Sequence, residues 1–198
     1  TPGTSMGTVS IIREGLYKAN RYLDDIQKAE EDEDEALPEY DAKCEALVPL
    51  LNGEIEAHFH CHRADDIQTA IRISREFHLK CVIIHGTEGY KIADGLSYYN
   101  VPVIAGPILC DRCKPEMKDL DLKNAGILWK NGVKVALCTD HTVIPIQYLP
   151  LSAALAVKGG MPYNAALRAI TSDAAQILGI ADRVGSIAVG LDADLQLY

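Results

Sequence analysis

Residues 80–86 read KCVIIHG, an apolar run that ends in a histidine and a glycine. Three other short segments are also predicted as strands, namely residues 55–60 (IEAHFH), 101–105 (VPVIA) and 133–138 (VKVALC). Segments with helical periodicity separate these strands. Apolar strands that alternate with helices are typical of a parallel sheet that is covered on both faces. The sequence therefore predicts an α/β fold.

The predicted helices lie before, between and after the strands. They cover residues 7–30, 39–51, 64–78, 88–98, 121–131, 146–158 and 162–178. In the helix at 64–78, Ile67, Ala70, Ile71 and Phe77 recur at the spacing of one buried face. Residues 193–198 (ADLQLY) are predicted as a last strand.

Four strand–helix units do not close a barrel, which needs eight strands and about 250 residues. The chain is therefore either a small open sheet or part of a TIM (β/α)8 barrel. The helical region before the first strand and the strand at 193–198 favour the partial barrel. We expect a helical segment at 1–53, the βα units at 54–180 and a further structure that starts at 181–198.

Composition excludes some classes of function. The chain has 198 residues and a formal net charge of −9, which disfavours nucleic acid as a partner. It contains no apolar run of the ~20 residues that a membrane span needs. Its six cysteines include Cys61, Cys81 and Cys138 in or beside predicted strands, as expected of buried thiols in a reducing compartment. We therefore expect a cytoplasmic protein.

Histidines collect where the predicted strands end. The chain has six, and five of them lie at these ends: His58, His60, His62, His85 and His141. Alternate residues of a strand share a face, so the first three are expected to point the same way. Function in parallel α/β proteins collects at the carboxyl ends of strands. These positions are therefore the candidate site.

Imidazole and carboxylate together suit zinc or a similar divalent ion. We predict His60, His85 and Asp140 as its ligands, with Asp140 as the proton acceptor for the attacking water. His58, His62 and His141 are either outer groups that orient the ligands or contacts to the substrate. The lone Cys110-x-x-Cys113 motif favours an ordinary loop over a second zinc site.

The chain resembles the amidohydrolase superfamily, in particular its imidazolonepropionase-like and prolidase-like branch. The resemblance rests on residues 58–67 (HFHCHRADDI), 84–88 (IHGTE), 139–140 (TD), 171–179 and 183–195. These segments are similar to barrel strands five, six and eight of that branch and to its exit from the barrel into a small β-sandwich. The resemblance thus implies that 181–198 begin the sandwich, and that the chain is a C-terminal fragment that lacks strands one to four.

The resemblance also implies roles for particular residues. His60 and His85 become metal ligands, Asp140 a ligand and general acid/base, and His85 a catalytic group as well. Arg63 joins the histidines around them as a group for substrate binding or ligand orientation.

The activity that the resemblance implies is hydrolysis of a carbon–nitrogen bond other than a peptide bond, in a non-peptide or cyclic amide. A dipeptide or an acylated amino acid is the alternative substrate. The cofactor is then a divalent metal, zinc in the first instance, and the partner is a small-molecule amide. The fragment is expected to form a homo-oligomer or to associate with the missing half of the barrel. The alternative is a non-catalytic α/β module that binds a metal or small ligand at its strand ends.

Overall fold

The structure is a computed structural model that describes residues 2–32 and 34–196. The chain divides into two compact units. The first comprises residues 1–57 and 69–81, and the second comprises residues 58–68 and 82–198. In the described residues, no helix combines the length and the apolar character needed to cross a membrane.

The elements alternate as the sequence predicts. The strands are β1 (Ala57–Cys61), β2 (Cys81–His85), β3 (Val103–Ala105) and β4 (Val135–Leu137). The α-helices are α1 (Ser5–Glu31), α2 (Ala42–Leu51), α3 (Ala64–Glu76), α4 (Ala93–Tyr98), α5 (Asn124–Lys130), α6 (Leu149–Lys158), α7 (Tyr163–Ala169) and α8 (Ser172–Ile177). Short 3₁₀ helices cover Gly89–Ile92, Pro115–Met117 and Ile146–Tyr148.

In the first unit, polar contacts link α1 and α2. The carboxylate of Asp41 caps α2 by accepting hydrogen bonds from the backbone N–H groups of Lys43 and Cys44. The same carboxylate forms an ion pair with Lys18 of α1. Capping satisfies backbone donors that have no partner inside a helix. Asp41 therefore both starts α2 and ties it to α1.

The four strands form one sheet in the order β1-β2-β3-β4. β2 pairs in parallel with β3, and β3 pairs in parallel with β4. The backbone N–H of Gly86 donates to the carbonyl oxygen of Cys61, which places the carboxyl ends of β1 and β2 side by side. All four strands thus end at one edge. A parallel sheet of four strands with intervening helices is the architecture of a partial (β/α)8 barrel, which confirms the predicted fold class.

The strands contribute the core of the second unit. Val82, Ile83, Val103 and Val135 are almost completely buried. Ile177 of α8 belongs to one apolar cluster with Val82 and Ala136 of the sheet. Because helices pack on the sheet and bury its side chains, the strand sequences are nearly continuously apolar.

The predicted helix at 162–178 is wrong in one respect, because the chain forms two helices there, α7 and α8. Thr171 lies between them, and its hydroxyl donates to the carbonyl oxygen of Leu167. Threonine side chains compete in this way with the backbone hydrogen bonds of a helix. The break therefore has a local cause that hydrophobic periodicity does not show.

The predicted strand at 193–198 also differs from the structure. Residues 193–196 are exposed and belong to no strand, and residues 197 and 198 lie outside the described residues. An extended segment becomes a strand only when a neighbour supplies backbone partners. The predicted division at 53–54 and at 180–181 stays a prediction.

Candidate metal centre

Three histidines converge at the carboxyl ends of β1 and β2. His60 lies in β1, His62 follows directly after it, and His85 is the last residue of β2. One possible ligand atom from each residue lies within 4.8 Å of the other two. The ring centroids of His60 and His85 are 4.2 Å apart, and those of His62 and His85 are 4.7 Å apart. Adjacent parallel strands thus deliver three imidazoles to one place.

A backbone carbonyl sets the orientation of His85. The Nδ1 atom of His85 lies 2.6 Å from the carbonyl oxygen of Gly106. Because a carbonyl oxygen only accepts, Nδ1 carries the proton and Nε2 keeps its lone pair. The ring is therefore held in the tautomer in which Nε2 can bind a metal.

Gly106 supplies that carbonyl because it has no side chain. It lies directly after β3 at φ +141°, and an added Cβ would stand 2.2 Å from the carbonyl oxygen of Cys138. Any other residue would force the ends of β3 and β4 apart. This glycine thus fixes the acceptor for the His85 ring.

A threonine holds His62. The Nδ1 atom of His62 lies 2.8 Å from the hydroxyl oxygen of Thr87, and both residues are buried. On its other side, Nε2 of His62 lies 3.4 Å from Nε2 of His60. Two facing imidazole nitrogens can share one proton or can both coordinate the same cation.

The environment keeps two of the rings neutral. Burial, followed by the neighbouring His85 and His60, lowers the pKa of His62 to about 4. Burial and then His85 also lower the pKa of His60. A neutral imidazole is the form that binds a metal.

The segment after β2 also holds the turn after β1. The buried carboxylate of Glu88 accepts from the backbone N–H of Ala64 at 2.9 Å and from the ammonium of Lys91 at 2.9 Å. The backbone N–H of Glu88 donates to the carbonyl oxygen of His62 at 2.8 Å. Glu88 thus fixes the backbone that carries His62.

The predicted ligand Asp140 does not belong to this group of three. It is exposed, with φ +52°, and follows the buried Thr139 at the end of β4. Its negative charge acts to raise the pKa of His60, although burial and the charges of His85 and Lys114 prevail. Asp140 thus acts electrostatically on His60, and its role stays a prediction.

Three other residues singled out in the sequence lie outside the group. His58 is exposed in β1. Arg63 is exposed and forms two hydrogen bonds to the carboxylate of Asp65. His141 is exposed, and its Nδ1 accepts a hydrogen bond from the backbone N–H of Ile146 at 3.2 Å. Their predicted contacts to a ligand or substrate stay predictions.

The Cys110-x-x-Cys113 motif forms part of the loop after β3. Both thiols are free, and the Sγ atom of Cys113 lies 3.9 Å from the Sδ atom of Met117. Burial raises the pKa of the Cys110 thiol, with a further contribution from the charge of Cys113. The motif thus lies in a loop, outside any helix or strand.

Sequence reasoning ranked His62 as an outer group and gave no role to Thr87, Gly106 or Glu88. One signal for His62 was available, because residues 60 and 62 share a face of a strand. The other three act through contacts between strand ends, which no local pattern reveals.

The donor set fits a metal ion. Three imidazoles, two of them oriented by hydrogen bonds to their Nδ1 atoms, match the three protein ligands of a catalytic zinc. Such an ion retains an open position for water or substrate.

The fold and this histidine group define an α/β protein with a candidate metal site at its strand ends. The amidohydrolase family model matches residues 52–198. The chain therefore belongs to the amidohydrolase family.

Individual relatives agree with this assignment. The chain is 29% identical over 185 residues to amidohydrolase tasK of Hapsidospora irregularis, a match that covers 83% of this chain. It is 35% identical over 85 residues to imidazolonepropionase of Cupriavidus pinatubonensis, which covers 41% of this chain. These matches span only 17% and 20% of the respective relatives.

Solved structures show the same fold. An amidohydrolase from Thermotoga maritima superposes on 98% of this chain with a TM-score of 0.93 and 43% identity, and the match covers 50% of that structure. A prolidase complexed with N-methylphosphonate-L-proline matches 80% of this chain and 42% of its own, with a TM-score of 0.58 and 18% identity. The prolidase supports the fold alone.

Proposed function

We propose that this chain carries the metal centre of a metal-dependent amidohydrolase that cleaves a carbon–nitrogen bond in a non-peptide or cyclic amide. The observation that carries the proposal is the convergence of His60, His62 and His85 at one edge of the sheet. Membership of the amidohydrolase family supports the reaction class.

Zinc is the ion that we propose, since imidazole nitrogens are among its preferred ligands. His85 would bind through Nε2, because its Nδ1 is committed to the carbonyl oxygen of Gly106. His62 would also bind through Nε2, because its Nδ1 contacts Thr87. When bound, the ion supplies Lewis acidity and lowers the pKa of a water molecule.

Asp140 is the proposed general acid/base. It follows β4 by three residues, after the carboxyl end of that strand, and it is exposed. It would accept a proton from the attacking water and return it to the leaving nitrogen. A neighbouring histidine would help to stabilise the negative oxygen that develops on the carbonyl. The predicted catalytic role of His85 is then limited to holding the ion, because both of its ring nitrogens are committed.

The remaining partners follow from the family. A small-molecule amide is the proposed substrate. The outer strands of the sheet, β1 and β4, suit association with the other half of a barrel or with a second copy of the chain.

The test combines metal analysis with an activity screen. Zinc bound per chain is measured by mass spectrometry, and hydrolysis is followed with lactams, cyclic imides, N-acyl amino acids and dipeptides. We expect one bound zinc ion per chain and hydrolysis of one of these classes. Cleavage of dipeptides alone would overturn the assignment to non-peptide bonds.

Asp140→Asn tests the role of the carboxylate, with Asp111→Asn as the matched control on an exposed loop residue. We expect Asp140→Asn to retain zinc and to lose at least about 100-fold in kcat, in line with general acid–base catalysis. The control should keep both its bound zinc and its kcat. A protein that binds zinc and hydrolyses none of the substrates would instead be the non-catalytic module.

A further inference from the structure

Residues 86–90 follow β2 directly and contact the histidine group; we call them the 86–90 segment. The backbone enters it through His85 and Gly86, whose φ values of +75° and +50° both lie in the left-handed region. Thr87, the next residue, contacts the His62 ring at 2.8 Å. The left-handed region is strained for a residue with a side chain, so the surrounding structure must hold the backbone of His85.

Asn124, the first residue of α5, binds both ends of the 86–90 segment. Its Nδ2 atom donates to the carbonyl oxygen of Gly86 at 3.0 Å, and its Oδ1 atom accepts from the backbone N–H of Tyr90 at 2.9 Å. Because a carbonyl oxygen only accepts and a backbone N–H only donates, the two partners fix which side-chain atom is nitrogen and which is oxygen. One buried carboxamide thus clamps the segment at two points.

Helix α5 packs directly against this segment and is itself held in place. An added Cβ on Gly89 would stand 3.3 Å from the Cδ2 atom of Leu128 and 3.6 Å from Oδ1 of Asn124. An added Cβ on Gly126 would stand 2.9 Å from the backbone nitrogen of Met161. The two glycines therefore permit close packing that fixes α5, and Asn124 with it.

The hydrogen bonds of Asn124 explain why an asparagine occupies this buried position. Asparagine has a lower helix propensity than alanine or leucine, because its side chain competes for backbone hydrogen bonds. Burial of its amide is favourable only when the amide is hydrogen-bonded. Both partners of Asn124 belong to the 86–90 segment, so its contribution is to hold that segment.

We propose that Asn124 is a positioning residue of the metal centre. Its carboxamide holds the left-handed backbone from which the His85 ring extends, and it holds Thr87, which orients the His62 ring. Asn124 acts through the 86–90 segment rather than on the ion. The inference rests on the proposed function, because the centre that Asn124 positions is the proposed zinc site.

Two substitutions test the clamp. Asn124→Asp keeps an acceptor for Tyr90 but replaces the donor to Gly86 with a negative oxygen. Asn124→Ala removes both hydrogen bonds without adding a charge. We expect zinc affinity to fall about tenfold in each variant, the lower end of the 10–100-fold loss for residues that orient a ligand, since Asn124 acts one contact further from the ion. Competition with a metal-sensitive dye measures the affinity.

The aromatic NMR signals of His62 and His85 give a second measurement, which needs no metal. In the metal-free wild type each ring should give one sharp set of ¹H–¹³C signals, because each is held in one orientation. In both Asn124 variants these signals should broaden or double, because the 86–90 segment takes more than one conformation. Unchanged ring signals or wild-type zinc affinity in both variants would overturn the proposal.

Two control variants separate positioning from general stability. Asn131→Asp alters an exposed asparagine at the other end of α5, whose Nδ2 also donates to a backbone carbonyl, that of Ile127 at 2.8 Å. Ile177→Val shortens a side chain in the apolar cluster with Val82 and Ala136 and should lower the Tm. Both should keep wild-type zinc affinity and sharp ring signals. An equal loss of affinity in Ile177→Val would contradict the proposal, since it would reflect stability alone.

Failure of the proposed function gives a different result. In that case the wild type binds no zinc or cleaves no amide, whereas the ring signals of His62 and His85 still depend on Asn124. Unchanged ring signals in the Asn124 variants of a protein that binds zinc and hydrolyses amides would reject the Asn124 inference alone.

Discussion

The two units of this protein use polar side chains in opposite ways. In the first unit the ion pairs Lys18–Asp41 and Arg13–Glu76 are solvent-accessible, with side chains between 25% and 67% exposed. In the second unit His62 and His85 are buried, and each has one polar partner at its Nδ1 atom.

The polar side chains of the two units therefore serve different purposes. Exposed ion pairs contribute little to stability, because water screens the charges and the side chains lose entropy. Buried imidazoles that are hydrogen-bonded at one nitrogen are held in one orientation and present the other nitrogen to a ligand. The first unit thus illustrates helix association, and the second illustrates preorganisation of a site.

The largest expected effect follows from removing a ring of the second unit. His85→Asn should weaken zinc binding by more than about 100-fold. Loss of a residue that only orients a ligand already weakens metal binding by about 10–100-fold, and this variant deletes a ligand itself. Asparagine also tolerates the positive φ of 75° at this position. Competition with a chromophoric chelator measures the affinity.

The control for that variant is His78→Asn, which alters an exposed histidine that also has a positive φ, of 56°. It should bind zinc like wild type. Equal affinities for both variants and wild type would remove His85 from the metal centre.

An intermediate effect is expected at the partner of His62. Thr87→Val should lower zinc affinity about 10–100-fold, because it removes the hydroxyl that orients the ring. Thr87→Ser retains a hydroxyl and should restore most of the affinity. If the valine and serine variants bind zinc equally well, the hydroxyl does not position His62.

The smallest effect is expected in the first unit. The ammonium of Lys18, followed by the backbone N–H groups at the start of α2, lowers the pKa of Asp41 from 3.8 to about 2. Because this pKa is lowered in the folded protein, the stabilisation is fully present above pH 3.8. It is lost as the pH falls through about 2.

Asp41→Asn isolates the charge, because asparagine is also a good helix N-cap. We expect wild type to exceed this variant in Tm by less than about 3 °C at neutral pH, with the difference shrinking below pH 3.8. Thermal unfolding followed by circular dichroism between pH 2 and 7 measures it. A difference that grows as the pH falls would contradict the role of the ion pair.

The sequence predicted the sheet well, for a physical reason. Strands such as residues 81–85 are buried on both faces, so almost every side chain must be apolar, and that composition is visible in one dimension. The sequence was less informative about residues 162–178, because the hydroxyl of Thr171 decides where the chain breaks between α7 and α8.

The candidate site was predicted only in part. The occurrence of His60 and His85 at the ends of two strands marks them as candidates, and the structure brings these two rings together. The inclusion of His62 and the exposed position of Asp140 depend on how the backbone turns after β1 and after β4. The spacing of residues along the sequence does not specify these turns.

The amino-acid sequence by itself determined the alternation of parallel strands and helices, because burial follows from local composition. It also determined that the histidines collect at the carboxyl ends of the strands, because strands joined by helices run parallel. Only the tertiary structure decided which nitrogen of each ring is free. That choice depends on the hydroxyl of Thr87 and the carbonyl oxygen of Gly106, which meet His62 and His85 from neighbouring strand ends. Hydrogen-bond partners so far apart along the chain become neighbours only when the sheet forms.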